Sequence, residues 1–193
     1  EMQSATLALV AEEVAELGVV FEKLLQIAEV ESGASRKSFA PVDLQALLVD
    51  VVDFYEPLIE DAGGALKLDV RPGVQTFSDG DLIASAVANL NNNAVKPETA
   101  GEVLLTAKAA QESGPESAWG VQITVQDQGP GADAQTLEKM TTRFYRAESD
   151  RQGYGLGLAS VLAIVQLHGG KLSFQNANPG LIARIWLPSI AKV

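Results

Sequence analysis

Asn89, Asn93 and Lys96 are spaced by four and three residues, so on a helix they would share one face. An amide oxygen is a hard ligand suited to Mg2+, and a lysine ammonium suits a phosphate. The segment that carries them is periodic in Leu82, Ile83, Ala86, Val87, Leu90 and Ala94, yet Asn89, Asn91, Asn92 and Asn93 crowd its last turns. Asparagine is a poor helix former, and local preference that fails inside a periodic helix is expected at a functional site. A frayed, solvated helix end is the plainer alternative for this segment alone.

Two glycine clusters lie downstream. Asp127-Gln128-Gly129-Pro130-Gly131 follows Val121 to Val125, whose alternation reads as a half-buried strand. Glycines there let backbone approach a ligand closely, or simply let the chain turn. Gly153-Tyr154-Gly155-Leu156-Gly157-Leu158 opens an apolar helix running to about Leu167. A glycine-rich loop feeding a helix N-terminus presents unpaired backbone N–H groups to an anion. It is not a Walker A loop, because no Gly-Lys-Ser/Thr is present, and its glycine spacing is not that of a dinucleotide fingerprint. Between the clusters, Arg143-Phe144-Tyr145-Arg146 sets two arginines around aromatics, able either to bind phosphate or to lie over the surface. His168-Gly169-Gly170 ends the helix, and His168 reads as a cap or packing residue rather than a catalyst. Amides with a lysine, a carboxylate at a strand end and a glycine loop together describe a nucleotide pocket.

The remaining chain must position these groups. Its 193 residues suffice for one domain with a good core plus an appendage. A net charge of −11 argues against nucleic acid or an anionic membrane surface as main partner. The absence of cysteine excludes disulfides and thiolate chemistry, and a single histidine excludes a multi-histidine metal site. No apolar run approaches the length needed to span a bilayer, so a membrane segment of a parent protein would lie outside these residues.

Leu7, Val10, Val14, Leu17, Phe21, Leu24 and Ala28 are spaced 3, 4, 3, 4, 3, 4, a heptad seam that needs a partner helix. The spacing predicts an oligomerisation helix over residues 1–30, with packing on its own domain as the alternative. Residues 31–42 carry the turn formers of a linker, and the main domain is expected from 43 to 193. Asp43 is placed to cap a helix ending near Gly63-Gly64. A strand over Ala65 to Val70, another over Val74 to Phe77, a pair over Gly101 to Ala110 and Trp119 to Asp127, and a last pair turned at Asn178-Pro179-Gly180 complete the pattern. These elements suggest an α+β sandwich, one sheet covered by helices.

From about residue 43 to 188 the chain resembles the catalytic, ATP-binding domain of sensor histidine kinases, in the GHKL superfamily. Asn89-Leu-Asn-Asn-Asn93-Ala-Val-Lys96 resembles the N box, and Asp127-Gln-Gly-Pro-Gly131 the first glycine box. Arg143-Phe-Tyr-Arg146 resembles the F box, and Gly153-Tyr-Gly-Leu-Gly-Leu158 the second glycine box. The heptad helix with Phe39-Ala-Pro-Val-Asp43-Leu resembles the second helix of a dimerisation hairpin and its link to this domain. The resemblance implies a Bergerat-type α/β sandwich, a mixed sheet covered on one face by helices and preceded by a coiled-coil-like helix. It also implies ATP and Mg2+ as cofactors. Asn93 would coordinate the metal with Asn89 assisting, while Lys96 and Arg146 would touch the terminal phosphates. Asp127 would accept from the adenine amino group, Gly129 and Gly131 would admit the base, and Phe144, Gly153, Gly155, Leu156, Gly157 and Leu158 would surround the nucleotide. Residues 147–152 would form the lid. Implied partners are a second copy through the N-terminal helix and a response regulator, with no nucleic acid and no direct membrane contact. The implied location is cytoplasmic, with any inner-membrane anchor of the parent outside these residues.

Three departures qualify the resemblance. The lid is short, Pro97 stands where an aromatic residue commonly follows the lysine, and no phosphoacceptor histidine is present. These residues alone are therefore not expected to autophosphorylate at the family's usual position, and the chain reads as a fragment of a longer protein. The expected activity is transfer of the ATP γ-phosphoryl group to a histidine on the missing helix. The alternatives are an ATP-binding pseudokinase scaffold, or a GHKL ATPase or serine kinase of another branch.

Overall fold

A computed structural model describes residues 2–33, 38–61, 63–95, 101–112, 118–146 and 154–189, with side chains from residue 14 onward. In chain order the elements are α1 (Met2–Glu31), β1 (Ala40–Asp43), α2 (Leu44–Asp61), β2 (Ala65–Val70), β3 (Gln75–Ser78), α3 (Gly80–Ala94), β4 (Glu102–Gln111), β5 (Trp119–Gln126), α4 (Ala134–Lys139), α5 (Gly157–Leu167), β6 (Lys171–Asn176) and β7 (Leu181–Pro188).

Five strands form one mixed sheet in the order β2-β4-β5-β7-β6. The pair β2–β4 is parallel and the other three pairs are antiparallel. Alternation fixes which face is covered: Val103, Leu105, Ala107, Val121, Ile123, Val125, Ala183 and Ile185 are buried. Against that face lie the apolar stripes of three helices, including Leu48 and Val52 of α2, Ile83, Val87 and Leu90 of α3, and Val161, Ile164 and Val165 of α5. Each large side chain removed from water there stabilises the fold by about 1.5–3 kcal/mol. The result is the expected α+β sandwich, with helices over one face of a mixed sheet.

The residues read as the end of a linker do more than connect. Ala40–Asp43 form a strand antiparallel to β3, pairing Ala40 with Ser78 and Asp43 with Gln75. Asp43 then caps α2, its Oδ1 accepting from the backbone N–H groups of Gln45 and Ala46. Just before β1, the Phe39 ring stacks on His168 with centroids 4.4 Å apart. His168 is the C-cap of α5, and its ring accepts at Nε2 from the Asp79 N–H at 3.1 Å while Nδ1 lies 2.7 Å from the Ile164 carbonyl. Its role is capping and packing, as its position after the helix suggested.

In α1 the heptad seam and the docking stripe overlap at Leu24 and diverge before it. Ile27 and Val30 are buried, and Val20 and Leu24 pack partly buried against the core. Val14, Leu17 and Phe21, all seam positions, stay 61–67 % exposed. One helix thus carries a stripe satisfied by its own domain and a second stripe that is not.

Candidate functional site

The site is built where α3, the β5–α4 turn and the start of α5 meet. Helix α3 begins at a side-chain cap, Asp79 Oδ1 accepting from the Leu82 N–H at 3.1 Å. Its asparagines separate by face. Asn89 is half-buried and donates from Nδ2 to the Ser85 carbonyl at 3.0 Å, which leaves its Oδ1 for other use. That oxygen lies 3.4 Å from where a Cβ on Gly157 would sit, so α3 and the first turn of α5 are close neighbours at this point. Asn93, four residues on, is half-buried. Asn91 is fully buried, and neither its Nδ2 nor its Oδ1 has a hydrogen-bond partner among the described residues. Asn92 is exposed and lies 3.5 Å from the Tyr55 hydroxyl. Asn89 and Asn93 thus share one face of α3, and Asn91 lies on the opposite, buried face.

Asp127 closes the end of β5. Its N–H donates to the Leu181 carbonyl, and its Oδ1 accepts from the N–H groups of Gly129 at 2.8 Å and Leu181 at 3.1 Å. Among the described residues no hydrogen bond falls on Oδ2, so a half-buried carboxylate oxygen is held in place with acceptor capacity to spare. Gly131 adopts φ +79, and a Cβ there would meet Asn176 Oδ1 at 2.6 Å, so this glycine is required twice over. Beyond it, Asp133 caps α4 through the Thr136 N–H, and those hydrogen bonds to Thr136 hold its carboxyl below the usual carboxylate range.

Helix α5 starts without a side-chain cap. Its first N–H groups are thereby left for an anion, next to the Asn89 oxygen. Leu156 is 2 % exposed and anchors the loop in the core, so only its backbone can face a ligand, while Leu158 is half-buried against the core. Gly155 at φ +69 lies back to back with the aromatic segment: a Cβ would meet the Tyr145 carbonyl at 2.7 Å, and Phe144 N–H donates to the Gly155 carbonyl at 2.9 Å. Phe144 itself has φ +63 and a ring 57 % exposed, a left-handed conformation uncommon for a bulky residue. Arg143 forms an ion pair with Glu31 at the end of α1, and Arg146 is exposed at the end of its segment. Lys96, Pro97, residues 147–152 and Gly153 fall outside the described residues.

Asn89, Asn93, Asp127, the first glycine turn and the start of α5 are thus assembled on neighbouring elements. The clearest residues that sequence reasoning missed are Asn176 and Gly180. Asn176 brackets Ala132 at the end of the glycine turn, bonding both its N–H and its C=O, and a Cβ on Gly180 would fall 1.8 Å from the Asp127 carbonyl oxygen. Gly180 was legible only as a turn, and nothing in the local sequence marks Asn176.

Residues 78–190 match the family described as Histidine kinase-, DNA gyrase B-, and HSP90-like ATPase. The chain belongs to that family. Within it the likeness is to histidine kinases. "Sensor protein IrlS" of Burkholderia pseudomallei is 31 % identical over 175 residues, covering 89 % of this chain and 36 % of the relative. The structure of "ShkA full-length in complex with AMPPNP" superposes with a TM-score of 0.76 at 25 % identity, over all of this chain and 41 % of that one. "Mycobacterial sensor histidine kinase MprB" gives a TM-score of 0.64 at 27 % identity, covering 78 % of this chain and 97 % of that one. The chain spans about a third of the length of the curated relatives it matches. This member is therefore an ATP-binding catalytic domain of histidine-kinase type, and the matched residues include α3, the β5–α4 turn and the start of α5.

Proposed function

We propose that this chain is the catalytic module of a two-component sensor kinase, passing the γ-phosphoryl group of ATP to a histidine on a dimerisation helix. In that step the bond from the γ-phosphorus to the β–γ bridging oxygen breaks, a bond to an imidazole nitrogen forms, and ADP leaves. Asp127 carries the reading. Its Oδ1 accepts two backbone N–H groups, and its Oδ2, which takes no hydrogen bond from the described residues, would accept from the adenine amino group. Gly129 and Gly131 keep side chains away from the base. The uncapped first turn of α5, with Gly155, Gly157 and Gly153, receives the phosphates, helped by Lys96 and Arg146.

The donor set suits Mg2+. Asn89 has its amide nitrogen tied to Ser85, which turns its oxygen to the hard-ligand role, and Asn93 repeats that chemistry four residues on the same face. Bound Mg2+ would neutralise phosphate charge, and the residues named here hold and orient the nucleotide.

A second copy docks through the exposed seam of Val14, Leu17 and Phe21, and the phosphoryl group passes on to a response regulator in a cytoplasmic setting. The proposal is tested by titrating Mg-ATP into the chain and into Asn93→Ala and Asp127→Ala. Binding should weaken by roughly tenfold or more in each variant. A folded parent chain that binds no Mg-ATP would overturn the reading. Supplying a helical hairpin with an acceptor histidine in trans should then yield acid-labile phosphate on it.

A further inference from the structure

The turn proposed to receive adenine is tied down at both ends by one rung of the β6–β7 hairpin. Asn176 and Leu181 are direct partners in the register of that hairpin. Leu181 holds the first end, its carbonyl accepting from the Asp127 N–H and its own N–H donating to Asp127 Oδ1, each at 3.1 Å. Asn176 holds the other end. Its Oδ1 accepts from the Ala132 N–H at 2.9 Å and its Nδ2 donates to the Ala132 carbonyl at 2.8 Å. The side-chain amide thus pairs with the backbone N–H and C=O of one residue, as a neighbouring strand would. Gly131 presses against the same oxygen, and the hairpin closes through Ala177 N–H to the Gly180 carbonyl at 2.8 Å.

We propose that Asn176 is a positioning residue for base recognition, fixing the span from Asp127 to Ala132 so that Asp127 Oδ2 and the glycine backbone face the adenine edge. This rests on the adenine-binding reading of Asp127. Asn176 touches no nucleotide. It acts by removing a degree of freedom from a turn whose four central residues include two glycines and would otherwise lose much conformational entropy on binding. Because Asn176 is exposed, its two hydrogen bonds contribute little to global stability, and its effect should appear in selectivity.

The test compares Mg-ATP with Mg-ITP, whose base lacks the exocyclic amino group, by calorimetry on the whole chain. Wild type should prefer ATP, and Asp127→Ala should abolish the preference. Asn176→Ala should weaken ATP by roughly tenfold, leave ITP nearly unchanged, and so collapse the ATP-to-ITP ratio. Asn176→Asp keeps the acceptor for the Ala132 N–H but loses the donor, and should fall between. Asn176 variants that retain the wild-type ratio would overturn the proposal while leaving the Asp127 reading intact. So would parallel losses of ATP and ITP, which would mark a general structural role. A wild type with no preference for ATP over ITP would remove the Asp127 reading and this proposal with it.

Discussion

Asn91→Leu should stabilise the domain without touching nucleotide binding. Asn91 is fully buried in α3 and both side-chain polar atoms lack partners among the described residues. Leaving a buried amide unsatisfied costs about 1–3 kcal/mol. Leucine also has the higher helix propensity, by about 0.4 kcal/mol. It is larger than asparagine, and overpacking returns about 1 kcal/mol of the gain. The net expectation is a gain of about 1–2 kcal/mol. For a chain of this size that corresponds to a rise of about 3–6 °C in the midpoint of thermal unfolding. Two residues along a helix rotate the side chain by about 200°, so Asn91 points away from the face shared by Asn89 and Asn93. Mg-ATP affinity should therefore be unchanged. Calorimetric unfolding with and without nucleotide, in wild type and variant, reads both quantities. A lower midpoint in the variant would refute the reasoning, since it would mean that the amide is satisfied in solution by interior water.

Gly155→Ala should be costly for both stability and binding. It forces a methyl group against the Tyr145 carbonyl at 2.7 Å and a left-handed backbone on alanine. Strain of about 1–3 kcal/mol is expected, with weaker Mg-ATP binding, and a calorimetric titration of the folded variant at wild-type affinity would sink the argument. Asp133 supplies a pH test. Its carboxyl is depressed by hydrogen bonds to Thr136, so the cap of α4 should be intact above the ordinary carboxylate value of 3.8 and lost as pH falls through the lower folded value. The Thr136 amide resonance should titrate below 3.8, and a midpoint at or above that value would contradict the capping geometry.

What the sequence revealed follows the range of each interaction. The turn at Asp127 to Gly131 was legible as a turn because its glycines and proline are consecutive, and the sheet was legible from alternation in β4, β5 and β7. The asparagine run was legible only in part. Helical spacing joins Asn89 to Asn93, but composition could not separate the buried Asn91 or the exposed Asn92 from them. Strand β1 was hidden, because Ala-Pro-Val-Asp is short and contains a proline that suits an edge or a turn equally. Asn176 was hidden for a different reason. Its partner, Ala132, is 44 residues away, and only the hairpin register brings the two together. The heptad count in α1 did not anticipate the stripe of Val20, Leu24, Ile27 and Val30 that docks on the domain and shares Leu24 with the seam.

That exposed stripe also sets the conditions under which any of these numbers can be compared. Val14, Leu17, Phe21 and Leu25 lie half or more exposed on one helix. Apolar surface of that kind associates by mass action, and association adds stability that grows with the logarithm of protein concentration. Unfolding midpoints taken at calorimetric concentrations and activities taken at high dilution would then describe different species. A dilution series, run before the first variant, separates the intrinsic properties of the fold from those that self-association contributes.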